Sequence, residues 1–254
     1  MSNQEWAVVT GASGGLGKGF AERLARDGLN VVLASRGTAV MEATAAELRS
    51  RYGVAVDVVG CDLSTVEGRD TLVAATAERQ VGVLINNAGF GTVGPFVDAD
   101  PGRMAEEISL NCAAVALLAR AYAPAMVSRG RGAIVNVAST AAFQPLPSMA
   151  VYAATKAFVL SLSQALWDEL RPAGVSVLGL CPGATDTAFF SAAGDDAILT
   201  RRRTTEQVID TCFDALKKGK PYVIDGALNA AMAITAKVSP VRVAIPVSKR
   251  VLHT

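Results

Sequence analysis

The chain has 254 residues, 51% hydrophobic and 19% charged, with 24 Lys plus Arg against 23 Asp plus Glu. That length suits one substantial α/β domain, the composition excludes a disordered chain, and a formal net charge of +1 leaves no electrostatic footprint for nucleic acid. A single histidine, His253, excludes a His-based catalytic triad and a multi-His metal site, so no metal is expected.

Cys61, Cys112, Cys181 and Cys212 form no C-x-x-C pair, and three lie in or beside apolar stretches, where a buried, reduced thiol is expected. No basic flank precedes a long apolar run near the N-terminus, and no stretch reaches the ~18 consecutive apolar residues of a membrane span. The expectation is a cytoplasmic protein with no integral membrane segment.

In chain order, an apolar strand over 6–10 leads into a helix over about 16–27. A strand at 30–35 follows, then a helix over about 38–51 and strands at 54–60 and 81–86. The segment from about 103 to 128 carries Met104, Ile108, Val115, Leu118, Tyr122 and Met126 at three-, four- or seven-residue steps, a helical stripe. A strand at 133–138 precedes a second such helix, about 150–170, stopped by Pro172 and Gly174. Strands at 175–181 and 222–225 complete the series. Several strands are continuous Val/Ile/Leu runs, as burial on both faces of a parallel sheet requires. This alternation predicts one α/β domain over 1–254, a doubly wound seven-stranded parallel sheet with helices on both faces. Residues 226–254 read as an apolar extension with Lys237, Arg242, Lys249 and Arg250 interspersed. It is expected to pack on the domain or on a partner subunit, since Pro240 and Pro246 rule out one long helix.

The first strand runs into Thr10-Gly11-Ala12-Ser13-Gly14-Gly15-Leu16-Gly17 and then a helix. A tight turn, close backbone approach and free helix N–H groups make such a segment a phosphate cradle. The spacing is T-G-x-x-x-G-x-G and resembles the short-chain dehydrogenase/reductase family. Further motifs extend the resemblance in order along residues 10 to 187: Cys61-Asp62-Leu63, Asn86-Asn87-Ala88-Gly89, the set Asn111, Ser139, Tyr152 and Lys156, and Pro182-Gly183 with Thr187.

The resemblance implies a Rossmann domain whose cofactor contacts include Gly11, Ser13, Gly14, Gly15, Leu16 and Gly17. It implies that Asp62, beside Leu63, bonds the adenine amino group. Asn87, Ala88 and Gly89 border the cofactor, and Pro182, Gly183 and Thr187 close over the nicotinamide. Ser139 would polarise the substrate oxygen, Tyr152 would be the acid/base, and Lys156 would also bond the nicotinamide ribose. Asn111 would hold a water linking Lys156 to solvent. Hydride would pass between nicotinamide C4 and a carbonyl carbon while Tyr152 transfers the proton. A homodimer or homotetramer would form through the two long helices, whose Ala113, Ala114, Ala154 and Ala157 permit close approach.

The residues themselves support part of this. Tyr152 and Lys156 are one helical turn apart, and a nearby ammonium is expected to lower the phenol's titration from ~10. An exposed face with a snorkelling lysine is the structural alternative. Asn111 stands in an apolar stretch, where a backbone-satisfied core amide is the alternative to a relay.

The second strand ends Leu33-Ala34-Ser35-Arg36. An NAD site usually has a carboxylate about 20 residues past the glycines to hold the ribose 2′-OH. Here Ser35 and a guanidinium stand instead, which predicts NADP(H) over NAD(H). The position before the middle glycine of the motif, a second basic residue in much of the family, is Gly14.

Phe143, Pro145, Leu146, Pro147 and Met149 are expected to form an apolar rim, with residues 87–96 opposite, suiting a hydrophobic carbonyl or alcohol. Phe189 and Phe190 are pocket or core residues with equal weight. Arg201-Arg202-Arg203 is a solvated face or a site for thioester-carrier phosphates. The distant resemblance to long-chain 3-oxoacyl-CoA reductases keeps 3-oxoacyl thioester reduction as an alternative. A non-catalytic NADP-binding scaffold or redox sensor would be expected to lack Tyr152 or Lys156.

Overall fold

A computed structural model describes residues 5–185, 203–240, 242 and 245. Its strands are β1 Glu5–Thr10, β2 Asn30–Ser35, β3 Val56–Gly60, β4 Gln80–Asn86, β5 Gly132–Val137, β6 Val175–Cys181 and β7 Tyr222–Ile224. They form one parallel sheet in the order β3-β2-β1-β4-β5-β6-β7. The helices are α1 Gly15–Arg26, α2 Thr38–Tyr52, α3 Val66–Ala75, α4 Pro101–Ile108, α5 Val115–Arg129, α6 Ala150–Leu170, α7 Thr205–Lys217 and α8 Ala227–Val238.

The apolar strand runs have the predicted cause. In β1, Ala7 and Val9 join Phe20, Met41 and Val208 on one face of the sheet, beneath α1, α2 and α7. Trp6 and Val8 join Leu72, Leu118 and Met126 on the other, beneath α3 and α5. Side chains that alternate between two covered faces must both be apolar, and each large one fully buried contributes roughly 1.5–3 kcal/mol.

Helix α7 is a segment not anticipated from the sequence, although Val208, Ile209, Cys212 and Ala215 carry helical spacing and a Thr204–Gln207 capping box marks its start. The single helix expected over 103–128 is α4 and α5 joined by a π-helical turn, Ser109–Ala114. Pro101–Arg129 is long enough to cross a membrane and holds an 18-residue window with a mean hydropathy of 1.4. Its Leu118, Ala119, Tyr122 and Met126 are instead packed against the sheet. All four cysteines are free, with Cys61, Cys181 and Cys212 buried.

The connections reverse direction between β1 and β4, leaving a crevice at the strands' carboxyl ends. The segments leaving β1, β4, β5 and β6 there carry Gly11, Asn87, Ser139 and Pro182.

Candidate active site

A cavity of about 560 Å³ occupies this crevice. Every site residue predicted within the described segments lines it except Gly17 and Asn111, which stand just behind. Thr187 lies outside the described residues, as do Phe189, Phe190, Arg201 and Arg202.

The glycine turn is built by close contacts. Gly11 has φ +65°, in the left-handed region, and a Cβ on Gly17 would lie 2.2 Å from the Gly11 carbonyl oxygen. Asn87 clamps the turn from β4: its side-chain amide donates to the carbonyls of Thr10 (2.9 Å) and Gly11 (3.3 Å). The Thr10 hydroxyl accepts from the backbone N–H groups of Asn87 and Ala88. Helix α1 begins after Gly14 with no side-chain cap and no acidic residue in its first turn. Its orphan N–H groups therefore face the cavity, and a Cβ on Gly14 would meet nothing within 4 Å. Asn86, the first residue of the four-residue motif, ties the sheet together: its amide donates to Asn136 Oδ1 (2.9 Å) and to the Val115 carbonyl (3.2 Å).

Tyr152 and Lys156 lie on the buried face of α6, not on an exposed one. The Tyr152 phenol interacts with the Ser139 side chain, which favours its ionised form. Ser139 follows β5, where its Oγ also accepts from the Ala141 N–H (3.1 Å). The Lys156 ammonium donates to the Val137 carbonyl at 2.8 Å and lies 5.7 Å from the Tyr152 ring centre. The expected lowering of the phenol is corrected. Burial pushes Tyr152 up to about 12, with Ser139 opposing, and burial brings Lys156 down to about 8. In this enclosed site, desolvation is the largest cause of both shifts.

Asn111 sits in the π turn, fully buried. Its amide donates to the Phe90 carbonyl (2.8 Å) and Thr155 Oγ1 (3.1 Å), and its Oδ1 accepts from the Phe90 N–H (3.1 Å). This is the backbone-satisfied arrangement, with one lone pair of Oδ1 left over. Sequence reasoning missed Thr155, which lies 44 residues from its partner with no local signal.

At the far end, Ser35 Oγ is 3.2 Å from Ser13 Oγ, joining the β2 terminus to the glycine turn. Asp62 accepts from the Ser64 hydroxyl (2.7 Å) and N–H (3.0 Å), which hold its carboxyl below the usual range. Arg36 is more than half exposed and lies 4.0 Å from Asp62 and 3.2 Å from Glu106, a residue not anticipated at this corner.

The apolar rim is corrected in part. Leu146 and Met149 line the cavity, whereas Phe143 turns into the core beside Val159 and Tyr222. Across it, residues 87–90 line the main cavity, while 92–96 belong to a second cavity of about 280 Å³ behind. Arg203 is neither a solvated residue nor a free phosphate ligand. It forms a 2.8 Å ion pair with the fully buried Asp225, which also accepts from Thr211 Oγ1.

The described short chain dehydrogenase family pattern matches residues 5–197. A very-long-chain 3-oxoacyl-CoA reductase of Bos taurus is 35% identical over 182 residues, 70% of this chain and 58% of its own length. The chain thus spans little more than half of that curated relative. A short-chain dehydrogenase from Sphingobium yanoikuyae, solved in complex with NADPH, is 34% identical with a TM-score of 0.84, covering 93% of this chain and 96% of the other. A bulky-bulky ketone specific alcohol dehydrogenase from Comamonas testosteroni is 33% identical with a TM-score of 0.79, covering 91% of each chain. With the glycine turn, the Asn87 clamp and the Ser139–Tyr152–Lys156 group all present at one sheet edge, the chain belongs to the short-chain dehydrogenase family.

Proposed function

We propose that the protein transfers hydride between NADP(H) and a hydrophobic ketone or aldehyde, or the corresponding secondary alcohol. The observation that carries this is Tyr152, Ser139 and, one turn on, Lys156 lining one cavity that ends at an uncapped helix N-terminus. The chain's own residues fit a dinucleotide. The unfilled space at Gly14 and the free N–H groups of α1 suit a diphosphate, and Ser35, Ser13 and Arg36 offer donors to a 2′-phosphate.

When bound, the nicotinamide supplies hydride chemistry. Tyr152 holds at its Oη the proton that a developing alkoxide takes. A phenol raised to about 12 keeps that proton at neutral pH, which suits reduction. Ser139 lines the cavity beside that phenol and can orient a carbonyl oxygen there. Lys156, charged below about pH 8, anchors on Val137 and can reach a ribose hydroxyl. Leu146 and Met149 present an apolar wall.

Incubating the protein with NADPH and a panel of ketones, aldehydes and 3-oxoacyl thioesters tests the activity and sorts substrates. Tyr152→Phe should lose about 10²–10⁴-fold in kcat while still binding NADPH by fluorescence titration. Retained turnover in that variant would remove Tyr152 from the chemistry. Turnover confined to 3-oxoacyl thioesters would move the assignment to the second reading, which rests on the Bos taurus relative. The retention of both Tyr152 and Lys156 favours an enzyme over a non-catalytic scaffold. Self-association into a homodimer or homotetramer through α5 and α6 is part of the proposal. It is supported by Leu117, Ala154, Ala157 and Phe158, which stand exposed on those helices.

A further inference from the structure

The corner where Arg36 stands holds more charge than a phosphate site requires. Arg36 Nη1 is 3.2 Å from Glu106 Oε1 and 4.0 Å from Asp62 Oδ2. The other oxygen of Glu106 is 3.2 Å from Arg103, whose guanidinium lies 3.8 Å above the Phe90 ring. Two guanidinium groups meet two carboxylates, so the corner is formally neutral. Among the described residues, Arg36 is also the one cationic side chain of the cavity besides Lys156. A 2′-phosphate approaching it meets a fork already engaged by Glu106.

Glu106 has a second partner in Arg103, three residues back on the same helix, so it does not need Arg36 to stay neutralised. A ribose bearing only hydroxyls makes no demand on the Arg36 fork. A phosphate does, and a two-pronged grip that uses Nη1 must displace Glu106 or share that nitrogen with it. We propose that Glu106 is a specificity-determining residue: it competes with the 2′-phosphate for Arg36 and thereby limits how far the site favours NADPH over NADH. The inference rests on the reading of Arg36 as a phosphate ligand. It deepens that reading by naming the residue that moderates it.

The test is direct binding, read by cofactor fluorescence at low ionic strength, of NADPH and of NADH to wild type, Glu106→Gln, Arg36→Ala and the double variant. Arg36 is exposed and Glu106 partly so, and a melting curve checks that each variant folds. Glu106→Gln should tighten NADPH about two- to fivefold, the scale of one exposed ion pair, and leave NADH unchanged. In the Arg36→Ala background the same change should gain nothing. Unchanged NADPH affinity in Glu106→Gln would overturn the proposal. So would an equal gain with and without Arg36, since that is charge repulsion at a distance and not competition. If Arg36→Ala alone leaves NADPH affinity intact, the phosphate reading itself fails, whatever Glu106→Gln does.

Discussion

Glu107 shows what a single side chain costs and why it stayed hidden. It is fully buried, and neither carboxylate oxygen makes a hydrogen bond. The Thr92 hydroxyl nearby favours ionisation but is not aligned to bond it and is itself unsatisfied. Burial holds the carboxyl above its ordinary range. An acid raised in the folded state keeps a proton that the unfolded chain has released, so stability falls as pH climbs through and above the usual carboxylate range. Glu107→Leu should remove that slope and raise urea stability at neutral pH by about 1–3 kcal/mol, the cost of an unsatisfied buried polar group. A less stable variant at neutral pH would refute this account. The apolar stripe predicted across this helix placed Ile108 inside, yet Ile108 is 48% exposed. The π turn that follows shifts the helical phase, so one period cannot register both α4 and α5.

At the scale of an element, the glycine turn and α1 separate two roles that one motif merges. Gly17 has no room, because its Cβ would strike the Gly11 carbonyl, whereas Gly14 borders open space. Gly17→Ala should lower the melting temperature and abolish NADPH binding together. Gly14→Ala should melt like the wild type and weaken NADPH about tenfold or more by intruding where the diphosphate would lie. Equal melting losses in the two variants would show that the turn is packed differently. The turn was legible in the sequence because backbone sterics confine such a glycine pattern to few uses. The Arg36–Glu106 contact was not, because its partners lie 70 residues apart on elements that only the folded sheet brings together.

For the whole molecule, the parallel sheet followed from sequence because each strand needed apolar side chains on both faces, whereas the order of its strands came only from the structure. Helix α7 shows the limit, since its stripe becomes meaningful only against β6 and β7. The exposed Phe158 of α6 makes a concrete test of assembly. Phe158→Glu should shift sedimentation of the wild-type oligomer toward monomer without altering the melting of the isolated fold. A wild type that sediments as a monomer would end that proposal.

The Asn87 clamp has a consequence for biosynthesis. The amide that fastens the carbonyls of Thr10 and Gly11 comes 77 and 76 residues later in the chain. While the ribosome is still translating the second and third strands, the loop that cradles a diphosphate lacks its fastener. A nascent chain therefore completes this turn late, when β4 docks beside β1.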